Sequence, residues 1–392
     1  MKNNLNLYPP AFAIAFISTS LFLLAGCSPG QPTKKTNESN PPSSPPPPSP
    51  PVVVSANLMG GAIQGTALSL TNSVTTLAGS GSPGALDTTG LSATFNLPSD
   101  ITTDGNNLYL ADNWNHKIRR INISTGATST LAGSGAQGSM DATATAASFN
   151  YPSGITNDGI NIYIADTYNH KIRKITLPTG VVTTLAGSGV SGYLDGTGSS
   201  SQFNLPTGIT TDNFNLYISD NANHRIRKIV LSTGVVSTFA GSGNPGFLDA
   251  TGTMAQFDSP QGLTTDGTYL YVADNGNNRI RKVELGTGIV STLAGSGSSG
   301  AADGTGIIGA SFNSPGNLTT DGTNLFVTDN GNHRIRKVVI ASTVVSTVAG
   351  SGQGSTDAIG QVASFKLPKG IITDGSKLFI ADTGNHKIRK IQ

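Results

Sequence analysis

The chain has 392 residues, a formal net charge of +2 and only 12% charged residues, so no overall field gathers nucleic acid or an anionic membrane surface. Its 49 glycines, far above ordinary usage, suit many short strands joined by tight turns and exclude helix as the main element. The single cysteine, Cys27, excludes a disulfide, a thiolate zinc site or a Cys-X-X-Cys-His haem attachment in the folded part.

At the start of the chain Lys2 precedes a largely apolar stretch at 11–24, shorter than a comfortable bilayer span and of the size of a signal-peptide core. It runs into Leu24-Ala25-Gly26-Cys27, which resembles the bacterial lipobox. The resemblance implies that residues 1–26 are a lipoprotein signal, removed before Cys27, and that Cys27 carries a diacylglyceryl group and an amide-linked acyl chain. Several chains anchor stably, since each buried methylene contributes about 0.8 kcal/mol. Ser28 stands where inner-membrane retention uses aspartate. The expected location is therefore the cell envelope: the outer membrane where the host has one, otherwise the extracellular face of the plasma membrane. Residues 27–51, which include Pro45-Pro46-Pro47-Pro48, cannot bury a core and are expected to form an extended tether. Residues 52–72 are more apolar and form a lead-in expected to dock on the folded domain.

From residue 73 onward the chain repeats one unit. ADNWNHKIRRI at Ala111 returns as ADTYNHKIRKI at Ala165, SDNANHRIRKI at Ser219, ADNGNNRIRKV at Ala273, TDNGNHRIRKV at Thr328 and ADTGNHKIRKI at Ala381, at spacings of 54, 54, 54, 55 and 53. The longer spacing reflects an extra residue between Asp303 and Phe312, the shorter one a deletion near Gly352-Gln353-Gly354. Each unit reads as four strands; in the second copy they fall at 154–157, 162–166, 171–177 and 181–186, with Asp158-Gly159, Asn169-His170 and Thr179-Gly180 at the turns. Such a sheet exposes apolar faces on both sides, and radial stacking buries them. The expected fold is all-β, a six-bladed β-propeller over 73–392. The chain stops after the sixth IRKI strand, and the SVTTLA segment at 73–78 matches the outer strands at Val181 and Val235, so an N-terminal strand is expected to complete the last blade.

The recurring LYIAD followed by NHKI or NHRI resembles the NHL-repeat family and spans about 73–392. The long glycine-rich insertion before each inner strand is similar to that of extracellular bacterial members. The resemblance implies a propeller with a central channel.

Of 22 acidic residues, 18 are three aspartates repeated six times, beginning with Asp87, Asp104 and Asp112. Of 24 basic residues, 18 belong to the repeated triplet that begins as Lys117, Arg119 and Arg120. The histidines His116, His170, His224, His333 and His386 share one repeat position. An active site needs different groups converging on one atom, so groups used identically in every unit read as fold determinants. Asp112, Asp166, Asp220, Asp274, Asp329 and Asp382 are expected to cap the following turn or pair with the IRK strand, and the histidines to brace the second hairpin. The inner strands offer Thr102, Thr156, Thr210, Thr264 and Thr319 to the channel, a poor ligand set for zinc or calcium, so no metal or other cofactor is expected. No G-x-S-x-G elbow, phosphate-binding loop or His-Glu-x-x-His motif occurs. The 18 repeated aspartates and the export signal argue against a nucleic-acid partner.

Two sets of residues break the repeat. The second variable position of ADxxNH holds Trp114 and Tyr168, then Ala222, Gly276, Gly331 and Gly384. The long loops carry Tyr193 and Phe247 where the others have Ala85, Ser139, Ala301 and Ser355. Exposed aromatic rings supply binding area at little entropy cost, so these four are candidate contacts for a protein, peptide or glycan ligand. The function expected is a non-catalytic binding or interaction scaffold, with the membrane as a second partner through the lipid anchor. The alternative is a channel-centred lyase or lactonase-like enzyme. An unpaired carboxylate or several histidines in the channel would favour the enzyme; a ring of threonine and backbone would favour the scaffold.

Overall fold

A computed structural model describes residues 65–392. The lipobox-like segment, Cys27 with its expected acylation, the proline-rich stretch expected to form a tether, and residues 52–64 of the lead-in lie outside the described residues. Twenty-four strands form six antiparallel four-stranded blades, two of which gain a two-residue fifth strand, Gly196–Thr197 or Gly304–Thr305. In blade 2 the strands are Pro152–Asn157, Asn161–Asp166, Lys171–Thr176 and Val181–Ala186, within two residues of the expected bounds. The inner strand starts earlier because Pro152 still pairs with Asp166, beyond a bulge that ends at Ile155.

Blade 6 closes the ring. Its inner three strands are Ile371–Thr373, Leu378–Asp382 and Lys387–Ile391, and its outer strand is Val74–Ala78 from the other end of the chain. Val74 pairs with Ile391 and Thr76 with Arg389. The described end of the lead-in, residues 65–72, joins the same seam: Leu68 and Leu70 pack against the core between blades 5 and 6, and the Leu68 N–H donates to Asp321 Oδ2 at 2.9 Å.

The alternation of strand residues sends one face of each blade against its neighbour. Tyr109, Ala111 and Ile118 of blade 1 thus meet Ile155, Ile162 and Ile164 of blade 2 in one buried cluster. The core is consequently a ring of interblade clusters, and the last of these joins Ile101 and Leu110 of blade 1 to Phe379 and Ile388 of blade 6.

The single-residue insertion has a local structural outcome. The short 3₁₀ turn found in the other long loops, such as Gly198–Ser200, becomes a four-residue α turn at Gly306–Gly309, and this pushes Ile308 into solvent. Glycine in the Leu-Ala-Gly stretch is required: Gly187 has φ +99°, and a Cβ there would meet the His170 carbonyl oxygen at 2.5 Å.

Candidate functional site

Each blade carries one buried ionic cluster. In blade 1 Arg119 is wholly buried, and its Nη1 donates to Asp112 Oδ2 at 2.6 Å while its Nη2 donates to Asp87 Oδ1 at 2.5 Å. The guanidinium also bonds the carbonyls of Thr94 and Leu86 and lies 5.3 Å from the Phe95 ring centroid. Asp112 further accepts from the Asn96 N–H and Asn115 Nδ2. Burial raises its carboxyl above the ordinary value, against the pull of Arg119. Asp87, half-exposed, also accepts the Thr130 N–H of the outer strand. One arginine thereby ties the glycine-rich loop to the blade interior. The same triad recurs as Asp141, Asp166 and Arg173, and in every other blade.

The histidines act between blades rather than only within their own hairpin. Their Nδ1 atoms accept a backbone N–H of the following blade: His116 from Tyr151, His170 from Leu205, His224 from Ser259, His333 from Leu367 and His386 from Leu97, at 3.0–3.1 Å. Accepting at Nδ1 requires a neutral ring with its proton on Nε2. Burial lowers the pKa of His116, His170, His333 and His386. In blade 4 Asn278 takes the histidine's place, and its Oδ1 accepts the Ser314 N–H at 2.8 Å. All six residues hold the left-handed conformation, with φ from 51° to 58°, which Asn and His tolerate better than most residues.

The face that carries these turns also carries the starts of the inner strands, and there the symmetry breaks. Trp114 and Tyr168 flank Tyr151, with ring centroids 5.6 Å and 5.0 Å from it. The three rings form an arc across blades 1 and 2, and Trp114 and Tyr168 remain 53% and 57% exposed. Tyr193 and Phe247 do not join the arc. The Arg225 guanidinium lies 4.5 Å from the Tyr193 centroid, and that of Arg279 lies 4.0 Å from the Phe247 centroid. In two other blades the same loop position is serine and the strand residue lysine, paired as Lys171 with Ser139 and Lys387 with Ser355. Tyr193 and Phe247 therefore serve as arginine platforms between loop and strand.

At the centre of this face the channel opens as a polar cup of about 110 Å³, with Ser99, Ser153, Thr207, Gln261, Gly316 and Lys369 contributed one per blade. The next residue inward is Gly154, Gly208, Gly262 and Gly370 in four blades, but Asp100 in blade 1 and Asn317 in blade 5. Glycine lets neighbouring inner strands touch; a Cβ on Gly154 would meet the Thr207 carbonyl oxygen at 2.0 Å. Asn317 Nδ2 donates to Asp100 Oδ1 at 2.6 Å, spanning blade 6, where a Cβ on Gly370 would meet Asp100 Cα at 2.5 Å. Asp100 also accepts the N–H groups of Ile101 and Ile155, and burial pushes its carboxyl up to about 7. The pair borders both the cup and the lower channel, whose lining includes Thr102, Thr156, Thr210 and Thr264. Asp100, Asn317, Lys369 and Tyr151 were not singled out by the sequence reasoning. The available signal was a glycine position filled by Asp and Asn in two of six copies.

With this geometry in place, comparison with known proteins supplies relatives. No family model matches the chain. NHL repeat-containing protein 2 of Bos taurus is 32% identical over 75% of this chain and 46% of its own length. The chloroplastic protein Suppressor of Quenching 1 of Arabidopsis thaliana is 30% identical over 74% of this chain and 30% of its own length. This chain thus spans less than half of each. Among solved structures, an auxiliary nutrient binding protein of Bacteroides thetaiotaomicron superposes with a TM-score of 0.63 at 18% identity, over 81% of this chain and 76% of that one, a likeness of fold. The six blades and the relatives at about 30% identity together fit an NHL β-propeller.

Proposed function

We propose that this propeller is a non-catalytic binding module, held at the cell envelope by an acylated Cys27, that takes a peptide or glycan on the arc formed by Trp114, Tyr151 and Tyr168. The observation that carries the reading is the arc itself: large rings stand exposed side by side in two blades where the other four have alanine or glycine. Rigid aromatic surface of this kind stacks on sugars and on peptide side chains with little entropy loss.

The enzyme reading rests on Asp100, the one carboxylate lining the cup. Its oxygens already accept three N–H donors, and the five histidines are engaged with backbone N–H groups between blades. Neither arrangement leaves a base aimed at a substrate, so the binding reading is favoured.

The test uses Trp114, the only tryptophan in the chain, as a fluorescence reporter in a screen of envelope polysaccharides and peptides. Trp114→Gly with Tyr168→Gly should spare the fold and weaken binding by about 2 kcal/mol or more, roughly thirtyfold, read by calorimetry. Unchanged affinity in the double variant would remove the arc from the reading. Cys27→Ser should abolish fatty-acid labelling and membrane retention on fractionation, and retention of both would refute the anchor.

A further inference from the structure

Two side chains in the channel cup have polar groups with no partner among the described residues. No ion pair or hydrogen bond engages the Lys369 ammonium or the Gln261 amide among the described residues, although both line the cup. Lys369 is exceptional at its position, where the other blades place Ser99, Ser153, Thr207, Gln261 and Gly316. The buried arginine of each blade, by contrast, is tied to two aspartates, as Arg119 is to Asp87 and Asp112. Lys369 is instead held in position by its backbone, whose carbonyl accepts the Thr328 hydroxyl of blade 5 at 2.6 Å. The Thr328 hydroxyl in turn accepts the Asn317 N–H at 2.8 Å. The residues that shape the floor and the residue that carries the charge thus belong to one hydrogen-bonded unit. That unit exists only where blades 5 and 6 depart from the repeat.

We propose that the cup is a binding site for the oxyanion group of a small molecule, a carboxylate or sulfate, held by the Lys369 ammonium and the Gln261 amide above a floor made by Asp100 and Asn317. The volume of about 110 Å³ suits an oxyanion with a few attached atoms rather than a polymer. The site is separate from the aromatic arc and does not depend on it. Lys369 supplies the charge-assisted bond and Gln261 the second donor from blade 4. Asp100 does not compete for Lys369: no oxygen of it comes within 4.0 Å of the ammonium, and its acceptors are taken by Asn317, Ile101 and Ile155.

Asp100 and Lys369 are the charged groups that line the cup; the rest of its wall is hydroxyl, amide and glycine. Asp100 faces Asn317 from blade 5, Gly370 from blade 6 and the Ile155 N–H from blade 2, none of which titrates. Its carboxyl takes a proton as pH falls through about 7, which removes the negative charge beneath the oxyanion. Burial lowers the Lys369 pKa from its ordinary value near 10.5, and an oxyanion bound beside the ammonium opposes that shift. Binding is therefore tighter on the acid side of neutrality.

The experiment is calorimetric titration of the protein with sodium sulfate and, separately, with D-glucuronate, neither of which titrates between about pH 6 and 8. The parent should bind at least one of the two, and more tightly at the lower pH. Lys369→Met should weaken binding about tenfold or more, with the melting temperature unchanged, and Lys369→Arg should retain most of the affinity. Asp100→Gly, which installs the residue of four other blades, should flatten the pH dependence. Binding of glucuronate alone identifies an organic acid as the ligand class, and binding of both identifies a general oxyanion site. Absence of heat with either probe in the folded parent, or a Lys369→Met variant that binds as the parent does, would overturn the proposal. Neither result bears on the aromatic arc, which has its own variants.

Discussion

The ionic clusters and the channel mouth are built from similar polar residues, put to opposite use. In the clusters Arg119, Asp112 and Asp87 bond one another, and the arrangement is repeated in six blades, buried away from any ligand, although the Nε of Arg173, Arg227, Arg281 and Arg336 has no partner there. At the mouth, Asp100, Asn317 and Lys369 occur once each; Asp100 and Asn317 meet across the ring, and among the described residues nothing pairs with the Lys369 ammonium or the Gln261 amide. Repetition marks the groups that hold the ring together, and departure from it marks the groups free to meet something else. The comparison also separates the four aromatic candidates. Tyr193 and Phe247 are also exposed, but each lies over an arginine, Arg225 or Arg279, and stands apart from the others, whereas Trp114 and Tyr168 cluster around Tyr151.

The framework was legible in the sequence for the same reason. Six copies of Asp112 and Arg119 and five of His116 average out local ambiguity, and the strand bounds, the ring closure by Val74–Ala78 and the pairing of Asp112 with the IRK strand could all be read from the repeat. What the spacing did not convey is the direction of the histidines. Their partners lie 34 or more residues away in the next blade, and a repeat pattern is the same whether a side chain bonds within its unit or to the next. The channel mouth was less legible still. Asp100 and Asn317 are 217 residues apart, and each is a single change at a strand start. Their meeting depends on how the ring closes, which no local pattern encodes.

The sharpest way to break the framework is to open it. Deleting residues 73–78 removes the outer strand of blade 6 and leaves the Lys387–Ile391 strand with an unpaired edge. Because every core cluster joins neighbouring blades, the loss should spread around the ring and abolish cooperative unfolding in urea. A truncated domain that melts as sharply and at the same temperature as the parent would show that the ring does not need this closure.

Within a closed ring, the next largest effect should come from a buried ion pair. Asp166→Ala leaves the wholly buried Arg173 facing an empty site, and breaking such a pair costs about 3–5 kcal/mol. Asp141→Ala removes the other, half-exposed partner of the same arginine, where water can replace the carboxylate, and the loss should be about 1 kcal/mol. Denaturant titration of the two variants side by side checks the order. Equal losses would mean that the loop attachment, rather than burial, sets the stability of the cluster.

The smallest effect distinguishes blade 4 from the rest. Its interblade acceptor is Asn278, which does not titrate, while His170 in blade 2 accepts the Leu205 N–H through Nδ1 and must be neutral to do so. Burial lowers the folded-state pKa of His170 below its ordinary value of 6.5. The folded state therefore binds fewer protons than the unfolded state below that pH, so stability rises with pH. The contribution of this contact is whole above about 6.5 and declines as pH falls from there toward the lower folded value. Asp100, whose pKa is raised to about 7, acts in the opposite sense, since its folded form holds a proton that the unfolded chain gives up above its ordinary value. The parent's own pH profile is thus a sum of opposing slopes. His170→Asn isolates one of them by copying what blade 4 already does, in a left-handed position that Asn tolerates. At pH 7.5 the variant should match the parent within about 0.5 kcal/mol, one neutral acceptor having replaced another. At pH 5 it should be the more stable of the two, by an amount of order 1 kcal/mol, because the parent alone must then bind a proton at the expense of the Leu205 contact. The same replacement at His116, His333 and His386, whose pKa values burial also lowers, should add to the acid-side gain, since these contacts lie in different blades and share no partner. If the His170→Asn difference is the same at pH 5 as at pH 7.5, the histidines stabilise the ring by shape alone and the neutral interblade acceptor is not their role.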